Sequence, residues 1–276
     1  GARRIAKAGG TLMEEMESAF HDPRLRALFC GSPRLTGLSP FHAPPVHSVA
    51  GFQEYEQGLW YPMGGVGGVC EIMASIIEQA GANIHLNQPV SEIAFSARNA
   101  VGLVTGDNER HKADAVVLGA DFSRFMLKRV SYHLRPSWPT DDIREAEHSC
   151  SHFVLLIGVA GKRDDLPHCT LYYPHDFERT MTEMGEQHTY SDKPMFMLQN
   201  PCITDDTLAP RGMSTLVVQV PVSHRAPRMN WEHKRKLYRD LIIRNLSHIG
   251  IRKMPGKVVY HNVITPFDWE KECRHH

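Results

Sequence analysis

An excess of charge of either sign is missing from this sequence: 31 lysines and arginines stand against 31 aspartates and glutamates in 276 residues. A dedicated nucleic-acid binder carries a basic surplus, so that class is set aside. Long apolar runs are missing too. The longest, Phe153 to Ala160, has the length of a strand. A bilayer-spanning helix needs roughly 18 apolar residues. The expectation is a chain that does not cross a membrane but is free to touch one. CxxC pairs are absent among the six cysteines Cys30, Cys70, Cys150, Cys169, Cys202 and Cys273, which argues against a zinc ribbon or dithiol redox site. Their scatter fits free thiols in a reducing compartment. Histidines number 17, yet no HExxH occurs, so no metal site is expected. Internal repeats and low-complexity tracts are also lacking. Hydrophobic residues make up 42% of the chain, enough to build a core and exclude whole-chain disorder.

The patterns that are present point to layered α and β structure. Leu12, Met13, Met16 and Phe20 recur at helical spacing, as do Leu25, Leu28 and Phe29. Asp22-Pro23 marks a new start, an N-cap followed by a first-turn proline, and predicts a helix over 23–30. Prolines at 33, 40, 44 and 45 give a loop, with a short helix over 46–51. A strand is expected over 58–62, then a glycine turn, then a helix over 69–79 with Ile72, Met73, Ile76 and Ile77 on its apolar face. Strands follow over 83–86, 90–95 and 101–105, a turn at Asp107-Asn108, and a buried strand over 113–118. Strand, glycine turn, helix and strand in that order are an α/β signature. Past the boundary at 135–140, strands over 153–159, 169–173, 195–199 and 215–221 precede a helix over 231–249 capped by Asn230, with Leu237, Tyr238, Leu241, Ile242, Leu246 and Ile249 toward the core, and a strand over 257–263. That is an α+β arrangement.

Gly64-Gly65-Val66-Gly67-Gly68 is the most distinctive local motif. A dinucleotide fingerprint needs GxGxxG and an acidic residue about 20 positions later. Starting from Gly65-Val66-Gly67, the third glycine position is Cys70, and Ile84, His85 and Leu86 offer no carboxylate. The loop is therefore not that fingerprint. Two readings stay open: a helix N-terminus aimed at an anion or a flavin edge, or a tight turn packed closely.

The stretch Leu59-Trp60-Tyr61-Pro62-Met63-Gly64-Gly65, followed by 81–93 with Pro89-Val90, resembles flavin-dependent amine-oxidase-like enzymes, and within them the bacterial and fungal type of phytoene desaturases. Asp22 to Phe29 is similar to that family's helix before the substrate region. Ser39 to Pro44 resembles its NPFxAP loop, and Ala113 to Asp121 its ADAVVxNAD strand. Leu166 to Tyr173 is similar to its LxHHTIxF strand. Gln199 to Asp205 with Leu208 to Gly212 resembles NPSVTDxSLAPxG. Val220-Pro221-Val222 and Thr265 to Glu270 also fit. Gly119 replaces the family's asparagine and Cys169 a histidine. The family's amino-terminal GxGxxG and its carboxy-terminal glycine-rich segment are not in the chain.

The resemblance implies the middle part of a two-domain FAD enzyme. The expected fold is α/β plus α+β, part of a Rossmann-like FAD-binding domain of the GR2 type joined to a substrate domain with a mixed or antiparallel sheet and helices. Expected segments are a helical, membrane-facing part of the substrate domain over 1–57, an internal FAD-domain segment over 58–125, and the substrate-binding domain over 126–276. The implied function is FAD-dependent desaturation of phytoene or a related acyclic carotene in carotenoid biosynthesis. Two alternatives stay open: a carotenoid isomerase or other amine-oxidase-like oxidoreductase, and a non-catalytic lipid-binding or interaction fragment.

Candidate FAD contacts are Val90, whose backbone stands where that of related flavoenzymes pairs with the adenine, together with Gly64, Gly65, Ala120 and Asp121. Asp121 has a second reading as a helix cap. Candidate substrate-lining residues are Phe41, Trp60, Tyr61, Pro62, Met195 and Met197, each with core packing as the alternative. A polyene lacks ionisable groups and needs an apolar tunnel, and methionine adapts to irregular apolar surfaces. Asp22 and Arg26, four apart on one helix face, are the candidate catalytic pair, against an N-cap and a solvated arginine. Lys234, Arg235, Lys236, Arg239 and Arg244 make the 231–249 helix basic, a pattern suited to a lipid surface or simply to solvent. The expected partners are an apolar carotenoid and membrane lipid, with no nucleic acid, in a cytoplasmic and peripherally membrane-associated protein whose oligomeric state stays open.

Overall fold

The computed structural model describes residues 9–30, 37–146, 149–185, 187–223, 230–251 and 257–272. In chain order the elements begin with α1 (Leu12–Ala19), α2 (Pro23–Phe29), a 3-10 turn Pro45–His47, α3 (Ser48–Gln57) and α4 (Gly65–Gln79). The strands β1 (Val90–Ser96), β2 (Asn99–Thr105) and β3 (Arg110–Lys112) precede α5 (Phe122–Arg129) and α6 (Thr140–Glu145). Then come β4 (Ser151–Ala160), β5 (Cys169–Tyr172), α7 (Phe177–Gly185), β6 (Phe196–Gln199) and β7 (Met213–Val222). The chain continues through α8 (Trp231–Asn245), β8 (Val258–Ile264) and α9 (Pro266–Glu272). The described residues form two compact units, one from 1–69 and 149–267, the other from 70–148 and 268–276. The expected segments change at 57/58 and 125/126, whereas these compact units divide at 69/70 and 148/149, and the second takes in the turn at 135–140.

The first unit is built on an antiparallel five-stranded sheet in the order β5-β6-β7-β4-β8. Along β7, Ser214, Leu216, Val218, Val220 and Val222 are buried, while the residues between them are half-buried. That period of two gives the sheet two different faces. One face packs on α8: Phe153, Leu155 and Val218 meet Trp231, Tyr238, Ile242 and Leu246 in one core. The Phe153 ring lies 4.9 Å from Tyr238, edge to face, and 5.7 Å from Trp231. Asn230 caps α8 by accepting the His233 N–H, as its sequence position predicts. Leu237 departs from the expected core face and is exposed. The terminal stretch 246–249 tightens into a 3-10 turn.

A second cluster joins α1, α2 and α7 through Leu12, Met13, Met16, Ala27, Met181 and Met195. Thr11 and Glu14 close a reciprocal capping box at the start of α1. Asp22 caps α2 with Pro23 in its first turn.

In the second unit β1, β2 and β3 form an antiparallel sheet in sequence order. Asn108, with φ 67°, makes the expected turn. The other strands predicted over 58–125 do not form. Residues 59–62, 83–86 and 113–118 carry no strand, and Val117 is 95% exposed. A strand exists only as a partner in a ladder, and no described strand runs alongside these segments. Among the described residues the Rossmann-like portion therefore has no parallel strand pair; both sheets are antiparallel. The predicted 69–79 helix starts four residues earlier, inside the glycine run. Its apolar face, Ile72, Met73, Ile76 and Ile77, is exposed, because no described element packs over it.

Candidate functional site

The second face of the five-stranded sheet is the floor of a cavity of about 600 Å³. Leu171 of β5, Met197 and Gln199 of β6, Gln219 and Pro221 of β7, and His152 of β4 supply that floor. They share it because their register is matched: Met197 pairs with Gln219, and His152 with Pro221. Leu59, Trp60 and Tyr61 approach from the segment after α3, with Glu54 of α3 itself; Tyr173, Met195 and Phe196 add to the wall.

The end near the glycine turn is polar and ordered. The Tyr61 and His168 rings lie 4.5 Å apart, and His168 Nδ1 is 2.6 Å from Thr204 Oγ1. Asp205, buried next to Thr204, accepts the Gly64 N–H at 2.6 Å and the Thr207 N–H and hydroxyl at 3.0 and 2.6 Å. The Thr207 hydroxyl, then the Gly64 N–H, hold its carboxyl below the usual range. Burial, with the Asp205 charge behind it, pushes the Tyr61 phenol up, so it stays protonated. Burial pulls His152 down, which favours the neutral imidazole. The cavity is apolar in its bulk, and among the described residues no lysine or arginine lines it.

Gly64 and Gly65 have φ of 82° and 76°, a left-handed backbone that other residues adopt at a cost. Gly65 donates to Pro62 O at 3.0 Å, and a side chain there would meet Tyr61 Oη at 3.4 Å. The turn therefore positions the Trp60-Tyr61 segment at the cavity.

A second cavity, of about 640 Å³, lies in the other unit. Ile93, Leu103, Val116, Leu118 and Phe125 give it apolar walls; Arg124, Lys128 and Arg129 stand on one side. Val90 begins β1, an edge strand of its sheet. A cofactor with a flat ring system and an anionic diphosphate matches an apolar slot beside a free strand edge and cations. Lys128 and Arg129 have no anionic partner among the described residues. The apolar walls and the β1 edge thus fit part of FAD, while the glycine motif that the resemblance assigns to its pyrophosphate is not in the chain.

The sequence-derived candidates distribute as follows. Trp60, Tyr61, Met195 and Met197 line the first cavity, whereas Phe41 and Pro62 do not. Phe41 packs instead against the α1 cluster that contains Met195. Val90, Ala120 and Asp121 line the second cavity, and Asp121 also caps α5 by accepting the Arg124 N–H at 2.8 Å. Gly64 and Gly65 line neither. The Asp22–Arg26 pair does not form. Asp22 binds Arg24 at 2.6 Å, which lowers its carboxyl to about 2, and Arg26 turns to Glu17 at 3.6 Å. Both residues sit outside the cavities, because the nearer Arg24 completes the cap.

On α8, Arg235 donates to Val263 O, Arg239 binds Asp240 and His261, and Lys234 lies 5.1 Å over the Tyr190 ring. Three of the five cations of the supposed lipid-facing helix are thus spent within the protein. His152, His168, Gln199, Gln219 and Asp205 were missed as site residues. For the two glutamines the signal was there: each is polar beside apolar neighbours that alternate to the opposite face.

The sequence profile described as flavin containing amine oxidoreductase matches residues 43–275. A 4,4'-diapophytoene desaturase from Methylomonas is 27% identical over 92% of this chain and 50% of its own length. A lycopene-forming phytoene desaturase from Pantoea ananas is 26% identical over 98% of this chain and 56% of its own. The chain spans about half the length of the curated relatives it matches. An oxidoreductase from Methanosarcina mazei shares the fold, with a TM-score of 0.66 at 18% identity, over 95% of this chain and 58% of its own.

Proposed function

The chain belongs to the flavin containing amine oxidoreductase family, and on that premise we propose that it carries the substrate site of an FAD-dependent carotenoid desaturase. The observation that supports this reading is the apolar, sheet-floored cavity with Trp60, Tyr61, Met195 and Met197 in its wall, a shape and chemistry suited to an uncharged isoprenoid chain. The substrate is phytoene or a related acyclic carotene. Introducing a double bond removes a hydride from one carbon and a proton from its neighbour. FAD, when bound, supplies the hydride acceptor. Val90, Ala120, Asp121, Lys128 and Arg129 are the residues that would hold it. The methionines and aromatics fix the chain against the floor and exclude water. His152, on the cavity floor and kept neutral by burial, is placed to take up the proton.

We also propose peripheral contact with lipid, where such a substrate resides. Phe52, Tyr55, Leu59 and Trp60, exposed on α3 and the segment after it, support this, and the last two also border the cavity. No helix among the described residues is long and apolar enough to cross a membrane.

The test is to incubate the full-length protein with FAD and phytoene and record the product spectrum. Absorption moving to longer wavelength, as conjugation lengthens, is expected. An unchanged phytoene spectrum beside turnover of a different substrate overturns the reading.

A further inference from the structure

A cavity for a pure hydrocarbon needs no hydrogen-bonding floor, yet two carboxamides stand in this one. Gln199 and Gln219 lie on adjacent strands: Gln199 pairs with Val217, and Gln219, two residues further on, pairs with Met197. They are diagonal neighbours on one face, within reach of a single small group. Neither carboxamide has a hydrogen-bond partner among the described residues, and both line the cavity. They are not leftovers of poor packing. The opposite face of the same strands carries Leu198, Val218 and Val220, all with no exposed surface. A hydrocarbon laid over the floor would strip water from both amides and return nothing, weakening binding about ten-fold for each group left unpaired. A carboxylate is disfavoured as well, because among the described residues no lysine or arginine lines the cavity and burial favours neutral His152. A neutral oxygen accepts from the amide N–H groups without bringing a charge to the floor.

We infer that the ligand is an acyclic isoprenoid chain bearing one hydrogen-bonding oxygen, a hydroxyl or a carbonyl, which the Gln199 and Gln219 carboxamides receive. This rests on the reading of the cavity as the substrate site. The amide N–H groups donate to the oxygen, the amide oxygens accept from a hydroxyl, and Met197 beside them holds the adjoining apolar chain. The oxygen thereby fixes how far the chain slides along the floor.

The experiment uses the full-length, FAD-loaded protein and a matched pair: an acyclic carotene and the same carotene with one terminal hydroxyl. Product formation gives kcat/KM for each, and quenching of tryptophan fluorescence gives binding without turnover. The wild type is expected to favour the hydroxylated compound about ten-fold, the amount one neutral hydrogen bond supplies. Gln199→Met with Gln219→Met keeps side-chain length and is expected to bring the ratio to about one; either single variant gives an intermediate ratio. Equal treatment of the pair by the wild type, or a preference that survives in the double variant, overturns the inference while leaving the desaturase reading intact. If neither compound is turned over, the desaturase reading fails, and fluorescence decides the inference. Quenching by the hydroxylated compound alone, lost in the double variant, supports it; equal quenching by both overturns it.

Discussion

The Asp205 carboxylate accepts the Gly64 backbone N–H at 2.6 Å across 141 positions of sequence. This one bond ties the glycine turn to the loop after β6 and so holds Tyr61 beside His168 at one end of the cavity, with Trp60 exposed at its border. Thr207 fills the other carboxylate oxygen.

Asp205→Asn is expected to be less stable than the wild type at neutral pH, with the gap closing in acid. The folded state holds this carboxyl below its ordinary 3.8, so its stabilisation is complete above that value and is lost as pH falls through the lower, folded one. Thermal melts from neutral pH down to about 3 read the gap. A difference independent of pH would contradict the assignment.

His152 is linked to a separate pH window. Burial lowers its pKa from 6.5 in the folded state, so its contribution is present above 6.5 and falls as the unfolded state gains a proton below it. The stability difference between wild type and His152→Gln is therefore expected to become less favourable to the wild type as pH falls below 6.5. Melting temperatures across that window check the sign.

Phe153→Ala is expected to destabilise the first unit by about 3–5 kcal/mol. The ring is fully buried and sits between Trp231 and Tyr238, so truncation leaves a cavity that two rigid aromatics fill poorly. Denaturant unfolding at constant m-value measures it; a loss under about 1 kcal/mol would show that the site collapses or is not core.

Alkylation at mildly alkaline pH is expected to mark Cys70 quickly, since it is exposed. Cys30 and Cys150 stay unmodified until unfolding, because burial pushes their thiols up to about 12 and 11. Mass spectrometry of the digested protein reads the order, and early labelling of Cys30 would contradict the packing of the α1 cluster.

Much of the first unit was legible in the sequence. The apolar runs of β4 and β7 name their strands, the alternation in β7 names two faces, and Asn230, Asp22 and the Asp107-Asn108 turn follow from local chemistry. Residues 113–118 were not legible in the same way. Apolar β-branched composition describes what a strand would need, whereas a strand forms only beside a partner. Asp22 shows a different limit: two arginines were within reach, and the nearer one took the bond. The Asp205–Gly64 bond has no local signal, since each partner is ordinary in its own segment.

The most direct test of the central claim is Met197→Trp in the full-length flavoprotein. Met197 lines the sheet floor of the first cavity and is not among the residues lining the second, so the indole would fill the middle of that floor. The account predicts that formation of conjugated product from an acyclic carotene falls about a hundred-fold, as misplacement of the substrate demands, with bound FAD and melting temperature unchanged. Product formation at the wild-type rate would contradict it.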